Sequence, residues 1–496
     1  MNISLAEPPA AGHWLYTIEY NAKLRGEPMP VRHVLKPRGR RAALVCVAAG
    51  ALMAGPTAAA PFRLASGLNA PDWLTLGGSY RLRYETLNGQ YRAHETGSDQ
   101  ILVERLLVHA QVRLGAFYIG GELEDSRQQL ADAGTHLGTD SVDALEPLQL
   151  YAGLHLRNTF AAGDSLDLKG GRLTIDDGSR RLVARNKFRN TLNAFTGLEA
   201  NWQGADGLHV HAFYVLPVQR RPSSRAALLD NSVQLDGQSF HTQLWGVSVT
   251  RANLLGRASG EAYVFGLSSH DGPHLAVADR DLYTPGLRLY AKPAPNAFDY
   301  EIEAAMQFGT SRATKAASDT RNLRHLAGFI HLDAGYTWQA PWSPRLEFDY
   351  DYASGDEHPG DGTDNRFDTL YGARRFDFGP TGIYGAMARS NVDTPGLRLQ
   401  VKPARGISAF VGYRAVWLAS SRDEWTTAGL QDKTGRSGNF IGHQLEAKLH
   451  LTVLPGNLGV EFGGAWLIHG SFQGQFPGAP RNGDTAYFYS QAVLTF

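Results

Sequence analysis

The sequence predicts an all-β protein, a transmembrane antiparallel β-barrel of about eighteen strands, and two observations support this. First, apolar and polar side chains alternate through segments of about ten residues. This is the length and period of a tilted strand that crosses a bilayer with one face toward lipid. Second, tight turns alternate with long polar loops along the chain. Outer-membrane barrels have this arrangement, with the short turns on the periplasmic side.

The first candidate strand, 73–85, shows the alternation clearly. Leu76, Tyr80 and Leu82 lie on one face, and Arg81 and Arg83 lie on the other. An even number of such strands is typical of bacterial barrels. The full set of candidates is 73–85, 101–114, 117–127, 147–157, 165–174, 191–203, 207–217, 239–250, 257–268, 285–292, 299–310, 323–339, 344–354, 395–402, 407–419, 439–450, 457–469 and 485–496.

The connections between these segments fall into two classes. The tight ones are 115–116, 204–206, 340–343 and 404–406. The long polar ones are 87–100, 128–146, 175–190, 218–238, 355–394 and 420–438. A propeller or a sandwich would not sort loop lengths so regularly, so this pattern favours a membrane barrel. Tryptophans at both strand ends fit the aromatic girdles of such barrels; they are Trp73, Trp202, Trp338, Trp417 and Trp466.

The segment 344–385 combines a strand with the longest loop. Leu346, Phe348, Tyr350 and Tyr352 alternate with charged residues, and a stretch rich in Gly, Asp and Pro follows. A loop of that length is seldom a simple connector. We expect it to be extracellular and to fold over the mouth of the barrel.

The charge balance of the chain gives no indication of a nucleic-acid-binding protein, and its N-terminal region indicates export. The 48 basic and 48 acidic residues balance, so net charge gives no reason to expect nucleic acid as a partner. The segment 36–41 is basic, 42–55 is apolar, and small residues precede position 60. This order is that of a secretory signal peptide. The only cysteine, Cys46, lies within it, so the mature chain would have none, which suits an oxidising compartment.

We therefore predict four regions in the chain. Residues 1–28 would be a mis-assigned N-terminal extension, with a genuine long leader as the alternative. Residues 29–60 would be the signal peptide and 61–72 a periplasmic lead-in. Residues 73–496 would form the barrel.

Four segments of the chain are similar to the alginate export family of outer-membrane channels. They are 169–185, with GGRL followed by GSRRLVAR; 298–309, FDYEIEAAMQFG; 350–371, with YDYASGD, DG and FDTLY; and 413–419, YRAVWLA. The sequence departs from the family pattern at Tyr371-Gly372, where Phe-Pro is usual, and at Gly171-Arg172-Leu173, which lacks a glutamine. The resemblance implies an eighteen-stranded barrel, and it implies alginate as the solute only weakly.

A barrel of this size encloses water, so charged side chains that face inward would set its selectivity. Strict alternation places Arg172 outward, although a bulge at Gly170-Gly171 could turn it inward. The predicted basic residues are Arg81, Arg83, Arg105, Arg113, Arg172, Arg288, Arg398, Arg414 and Lys448 on strands, with Arg180, Arg181, Arg185, Lys187 and Arg189 in the 175–190 loop. The predicted acidic residues are Glu122, Glu124, Glu301, Glu303, Glu347, Asp349 and Asp351.

Two interpretations of the luminal arginines stay open. They could bind a passing polyuronate in bidentate fashion, one carboxylate after another. They could equally pair with the luminal acids and stiffen the wall. If the 175–190 loop folds into the lumen, it would make a basic constriction.

The sequence thus predicts a channel of the Gram-negative outer membrane that passively conducts an anionic solute. Export of an anionic, alginate-like exopolysaccharide is the first hypothesis, and a porin for uptake of small organic anions is the alternative. We expect outer-membrane lipid, the barrel assembly machinery and periplasmic secretion proteins as partners.

We predict no enzymatic activity, no cofactor and no metal. A barrel hydrolase would need a serine–histidine pair on the outer wall, and none is marked. The pair His209 and His211 lacks a third metal ligand, and the acidic loop 356–364 lacks the order of a calcium loop.

Overall fold

The computed structural model describes residues 60–95, 97–132, 134–272 and 276–496. The predicted extension and signal peptide lie outside these residues, apart from Ala60. In the described part of the chain, nineteen strands form one sheet, and β1 (Leu74–Asn88) pairs with both β2 (Ser98–Leu114) and β19 (Thr485–Thr495). The sheet therefore closes on itself into a barrel, as predicted.

The remaining strands are β3 (Phe117–Gln129), β4 (Asp143–Arg157), β5 (Ser165–Leu173), β6 (Phe195–Gln203), β7 (Leu208–Pro217), β8 (Thr242–Leu255), β9 (Ala258–Ser269), β10 (Arg280–Ala291), β11 (Ala297–Ser311), β12 (Leu323–Thr337), β13 (Arg345–Ala353), β14 (Thr363–Asp364), β15 (Val392–Ala404), β16 (Ile407–Trp417), β17 (Phe440–Leu454) and β18 (Leu458–His469). Four short helices are described: α1 (Leu64–Gly67), α2 (Arg225–Leu229), α3 (Arg375–Phe378) and α4 (Ser471–Gln475). No helix among the described residues is long and apolar enough to cross a membrane.

Eighteen of the strands form the wall, each antiparallel to its neighbours. The nineteenth, β14, is a two-residue strand that lies parallel to β12. On one side of the barrel the connections have two to seven residues, and on the other they have nine to thirty-eight. The two predicted classes of connection are confirmed. The short side is therefore periplasmic and the long side extracellular.

Two strands begin earlier than predicted. The sequence suggested starts at Pro285 and Pro395, but β10 begins at Arg280 and β15 at Val392. Proline lacks an N–H, so it breaks a hydrogen-bonded ladder only locally. In both strands the antiparallel ladder continues on the N-terminal side of the proline.

The outer face is apolar, as alternation predicts. Leu150, Leu198 and Leu287 are each more than 60 % exposed, because they point away from the protein. Trp73 and Trp466 are about half exposed at opposite ends of the wall. Before β1, the lead-in segment contacts a periplasmic turn, where the backbone N–H of Phe62 donates to Asn457 Oδ1 at 2.9 Å.

Two of the long extracellular loops that the structure describes fold into the interior of the barrel. They are residues 174–194, which we call the β5–β6 loop, and residues 354–391, which we call the β13–β15 loop. Leu182 and Val183 of the first, and Tyr384 and Met387 of the second, join one buried apolar cluster with wall residues such as Phe329. The barrel therefore has a packed interior on this side.

Candidate functional site: the loops and cavity inside the barrel

The β5–β6 loop is held by arginines of β1 and β2. Arg81 donates to the carbonyl oxygens of Lys187 and Phe188, each at 3.1 Å, and to that of Arg189 at 2.9 Å. Arg105 donates to the carbonyl of Arg189 at 3.0 Å. All the acceptors are backbone groups of the loop that need partners once they are buried. These two inward-facing arginines therefore anchor the loop.

The same loop reaches the far wall through Arg181. Its guanidinium pairs with Glu303 of β11 at 2.8 Å and also contacts Glu301. In the closed ring of eighteen wall strands, β11 lies almost opposite β1. The β5–β6 loop thus crosses the lumen from one wall to the other.

The two loops pair with each other inside the barrel. The N–H of Tyr371 donates to the carbonyl of Leu182 at 2.9 Å, and the N–H of Ala373 donates to that of Arg180 at 2.9 Å. Between them, a Cβ on Gly372 would lie only 1.8 Å from the carbonyl oxygen of Arg181. Only glycine allows so close an approach, which gives a physical reason for Gly372 at this departure from the family pattern.

Asp377 in α3 is the centre of an ion-pair network. Arg181 donates to both of its carboxylate oxygens at 3.0 Å, and Arg389 also donates to it. Burial alone would raise the pKa of Asp377, but the nearby guanidinium groups outweigh burial and hold this pKa well below its ordinary value. Asp377 is therefore ionised and binds both arginines tightly.

The far end of the β13–β15 loop docks on the walls that surround it. The N–H of Ile383 donates to Glu85 of β1 at 2.9 Å, and Arg92 donates to the carbonyl of Ile383 at 2.9 Å. The hydroxyl of Tyr384 donates to Gln444 of β17 at 2.6 Å. This loop therefore also spans the lumen.

A cavity of about 530 Å³ lies beside the two loops. It is bounded by both of them and by strands on the β1, β15 and β17 sides. Of the described residues that line it, seven are basic and two are acidic, Asp176 and Glu461. The basic residues are Arg81, Arg105, Arg180, Lys187, Arg375, Arg398 and Lys448. The lining is therefore electropositive.

Two of these cations are open to solvent. Arg180 is exposed, and within the described residues no carboxylate lies within 4.0 Å of it. Lys187 is 65 % exposed and lies 3.5 Å from Asp176. An exposed cation keeps its hydration and can exchange water for a passing anion at little cost. Arg180 and Lys187 are therefore the groups best placed to meet a solute.

Aromatic rings lie among the cations of the cavity. The guanidinium of Arg180 lies 5.2 Å from the ring of Phe376, and that of Arg375 lies 5.0 Å from Phe188. The ammonium of Lys448 lies 5.4 Å from Phe410. These contacts fall within cation–π range. The cavity thus offers both positive charge and flat apolar faces.

Several of the other predicted basic residues are paired with predicted acidic ones. Arg185 binds Glu122 at 2.8 Å, Arg288 binds Glu301 at 3.0 Å, and Arg398 binds Glu347 at 3.2 Å. Arg414 binds both Asp349 and Asp351. Arg83 instead binds Glu85 at 2.7 Å and the carbonyl of Phe188 at 2.6 Å. At these positions the geometry is that of wall-stiffening pairs.

Three predicted residues differ from this pattern. Arg113 is exposed near the periplasmic end, 5.8 Å from the ring of Tyr118. Arg189 lies 4.0 Å from Asp140, and burial lowers its pKa to about 10. Glu124 is fully buried, and its Oε2 has no hydrogen-bond partner in the described part of the chain.

The luminal position suggested for Arg172 is wrong. In the register of β4 and β5 it lies opposite Leu150, which is 64 % exposed on the outer wall. Gly171 has a positive φ of 130°. The alternation nevertheless continues through it, because Leu173, which follows Arg172, is fully buried. Arg172 reaches from the outer face to the carboxylate of Glu146.

Sequence reasoning missed the residues of the β13–β15 loop that complete the interior. Arg375 binds Glu446 at 2.7 Å, and Arg389 is buried against Asp377. The adjacent basic residues Arg374 and Arg375 in this loop were an available signal. Nothing periodic marks Arg389 or Tyr384.

A closed barrel with short periplasmic turns, a lipid-facing outer wall and a charged interior defines an outer-membrane β-barrel channel. The sequence profile for alginate export matches residues 72–486. The chain therefore belongs to the alginate export family. No similar protein was found among curated sequences.

Solved structures of outer-membrane channels share the fold. Pseudomonas aeruginosa OccK9 (OpdG) is 13 % identical, with 85 % of this chain and 98 % of that chain covered and a TM-score of 0.53. Acinetobacter baumannii OccAB1 is 12 % identical, with 86 % and 97 % covered and a TM-score of 0.53. Pseudomonas aeruginosa OpdL is 12 % identical, with 85 % and 98 % covered and a TM-score of 0.51. At such low identity the likeness concerns the fold.

Proposed function

We propose that this channel conducts anionic solutes passively, and that its principal solute is an anionic, alginate-like exopolysaccharide leaving the cell. The observation that carries the proposal is the cavity lined by seven basic and two acidic residues. Positive side chains at a constriction favour anions over cations. Membership of the alginate export family supports a polyuronate as the anion.

The proposed mechanism uses weak, repeated contacts. Arg180 and Lys187 meet the carboxylates of the polymer, while Phe376 and Phe410 offer flat faces to its sugar rings. Exposed ion pairs are worth about 0–1 kcal/mol each, so the chain can move from one contact to the next. The driving force is a concentration gradient or the pressure of polymer synthesis. No catalytic step belongs to the proposal.

Uptake of small organic anions is the second candidate. The two loops cross the lumen and are held there by buried ion pairs around Asp377. A passage narrowed in this way suits a solute of one or two sugar-sized units. Polymer export would require the β13–β15 loop to shift from its docked position.

Planar bilayers distinguish these proposals. In a potassium chloride gradient we expect an anion-selective reversal potential, and clear cation selectivity would contradict any anionic solute. Oligouronates several residues long should block the current if a polymer passes, and single uronates should block equally well if the channel serves uptake. In cells, deletion should reduce secreted polymer in the first case and growth on a carboxylate in the second.

Export to the outer membrane also needs a targeting signal and partners. We propose that residues 29–60 act as the signal peptide, that the barrel assembly machinery inserts residues 73–496, and that periplasmic secretion proteins deliver the polymer. Mass spectrometry of the mature N-terminus tests the first point, with cleavage after Ala60 expected.

A further inference from the structure

Three carboxylates meet at the extracellular end of β4. Asp143 and Glu146 come from the first residues of this strand, and Asp236 comes from the loop between β7 and β8. An oxygen atom from each lies within 4.8 Å of the others. Such a cluster of acids is unremarkable when water and basic side chains surround it, so its burial and its partners decide what it can do.

Asp143 is the unusual member of this cluster. It is only 1 % exposed, and among the described residues neither of its carboxylate oxygens has a hydrogen-bond partner. On the neighbouring strand, Glu124 lies opposite Glu146 in the register and is fully buried, with Oε2 also unpartnered. Buried carboxylates are normally paired or bound to metal, because removing their hydration is costly. The unpartnered oxygens therefore point to a cation-binding role for this cluster.

The nearby basic residues do not supply that charge. Arg172 binds Glu146 and also donates to Gln238 at 2.9 Å. Arg220 donates to Asn193 Oδ1 at 2.6 Å, and no carboxylate among the described residues lies within 4.0 Å of its guanidinium. The cluster thus holds three carboxyl groups against one paired guanidinium, so acidic groups outnumber the basic groups bound to them.

A second buried group shows the contrast. His331, Asp351 and Asp377 also bring their side-chain atoms close together. There, Arg181 and Arg389 bind Asp377, and Arg414 binds Asp351. The guanidinium groups occupy the place that a metal ion would take, so that group needs no cation.

We propose that Asp143, Glu146 and Asp236 form a calcium site that fastens the β7–β8 loop to the end of β4. Carboxylate oxygens are the ligands of hard cations, and Ca²⁺ accepts irregular arrangements of six to eight oxygens, some from water. Mg²⁺ instead demands near-ideal octahedral geometry and dehydrates reluctantly, so an irregular cluster of side chains from two segments suits Ca²⁺ better. Asp143 offers two free oxygens. Asp236 offers one, since its Oδ1 accepts the N–H of Arg221 at 2.7 Å. Glu146 contributes only a shared oxygen, since its Oε1 accepts from Arg172 and its Oε2 accepts the N–H of Asp236 at 3.0 Å.

Calcium titration of the purified, chelator-treated barrel in detergent tests this proposal. Isothermal titration calorimetry should show one Ca²⁺ bound with a Kd of about 10⁻⁴–10⁻³ M, the range of extracellular sites. Asp143→Asn and Asp236→Asn should each weaken binding by about tenfold or more, since affinity follows the charge of the ligands. Asp361→Asn, at an exposed carboxylate in another extracellular loop, should bind as the wild type does.

Three results would overturn the proposal: wild-type protein that takes up no Ca²⁺ at ten times that concentration, tighter binding of Mg²⁺ than of Ca²⁺, or unchanged binding by both cluster variants. Asp236 lies in a surface loop, so its variant reports on the site even if Asp143→Asn fails to fold. Heat-modified gel mobility shows which variants form a barrel. Calcium should also raise the Tm of the wild type but not that of Asp236→Asn.

Discussion

Arg181 and Asp377 lie 196 residues apart in the sequence, yet they form a two-point ion pair inside the barrel, with both N–O distances at 3.0 Å. Each belongs to a different loop, and each is buried. Because Arg181 also binds the β11 wall, this one pair ties the two loops to each other and to the barrel. The following predictions test how far the passage depends on it.

Replacing Asp377 with Asn should loosen both loops. The change leaves Arg181 and Arg389 buried without their carboxylate, and breaking a buried pair in this way costs about 3–5 kcal/mol. We expect larger and noisier single-channel currents in planar bilayers. Asp361→Asn, at an exposed position of the same loop, is the control and should conduct like the wild type. Identical currents from Asp377→Asn would show that this network does not set the passage.

Acid should act through the same carboxylate. The pKa of Asp377 is lowered in the folded protein, so its pairs are fully stabilising above the ordinary aspartate pKa of about 3.9 and weaken as the pH falls below it. Conductance should therefore be steady from about pH 8 to pH 5 and become noisier below about pH 4. Asp377→Asn should lack this transition. A transition of equal size in the variant would assign it to other groups.

Substitution of Gly372 by Ala should separate the two loops without changing any charge. The added Cβ would lie 1.8 Å from the carbonyl oxygen of Arg181, so the short ladder between the loops must open. We expect increased conductance and faster proteolysis within the β13–β15 loop. Gly474→Ala is a matched control, since nothing lies within 4 Å of a Cβ there. Equal conductance and equal proteolysis of the two variants would show that the ladder between the loops does not hold them together.

Two arginines of the cavity should have different roles: one should set the ion selectivity of the channel, and the other should anchor the β5–β6 loop. Arg180 is exposed and unpaired with any carboxylate in the described structure, so Arg180→Gln should reduce anion selectivity and leave conductance nearly unchanged. Arg105 holds loop carbonyls, so Arg105→Gln should raise current fluctuations. Reversal potentials and single-channel recordings measure the two effects. Loss of selectivity only in Arg105→Gln would reverse the assignment.

Two parts of the β13–β15 loop should respond differently to deletion. Residues 357–361 are exposed, whereas most of residues 377–387 are buried inside the barrel. Replacing 374–389 with a Gly/Ser linker should raise conductance markedly, because the groups that dock on β1 and β17 are removed. Removing 357–361 should have little effect. A gain of conductance from the exposed deletion alone would place the restriction at the mouth.

Much of the wall could be predicted because the alternation of side chains along a strand involves only neighbouring residues. Arg81 and Arg83 alternate with Tyr80 and Leu82, so neighbouring residues alone state which side faces lipid. Loop lengths then gave the two sides of the barrel. Arg172 marks the limit of this reasoning, because glycines beside it left the register open until the pairing with Leu150 decided it.

The interior could not be predicted in the same way. Alternation shows that Arg81 faces inward, but its partner is a loop carbonyl more than one hundred residues away. The ladder between Leu182 and Tyr371, and the cluster of Asp143 with Asp236, join distant segments that share no period or motif. The sequence carries no local signal for such contacts.

By itself, the sequence determined that this chain forms a barrel and which side chains can face water inside it. It could do so because polar and apolar residues alternate along each strand, and this alternation is visible in neighbouring residues. Only the tertiary structure decided which of those charges remain available. Burial makes an unpaired charge costly, so arginines such as Arg181 and Arg414 are taken up by the carboxylates that folding brings to them. Arg180 stays in water and keeps its charge free for a solute.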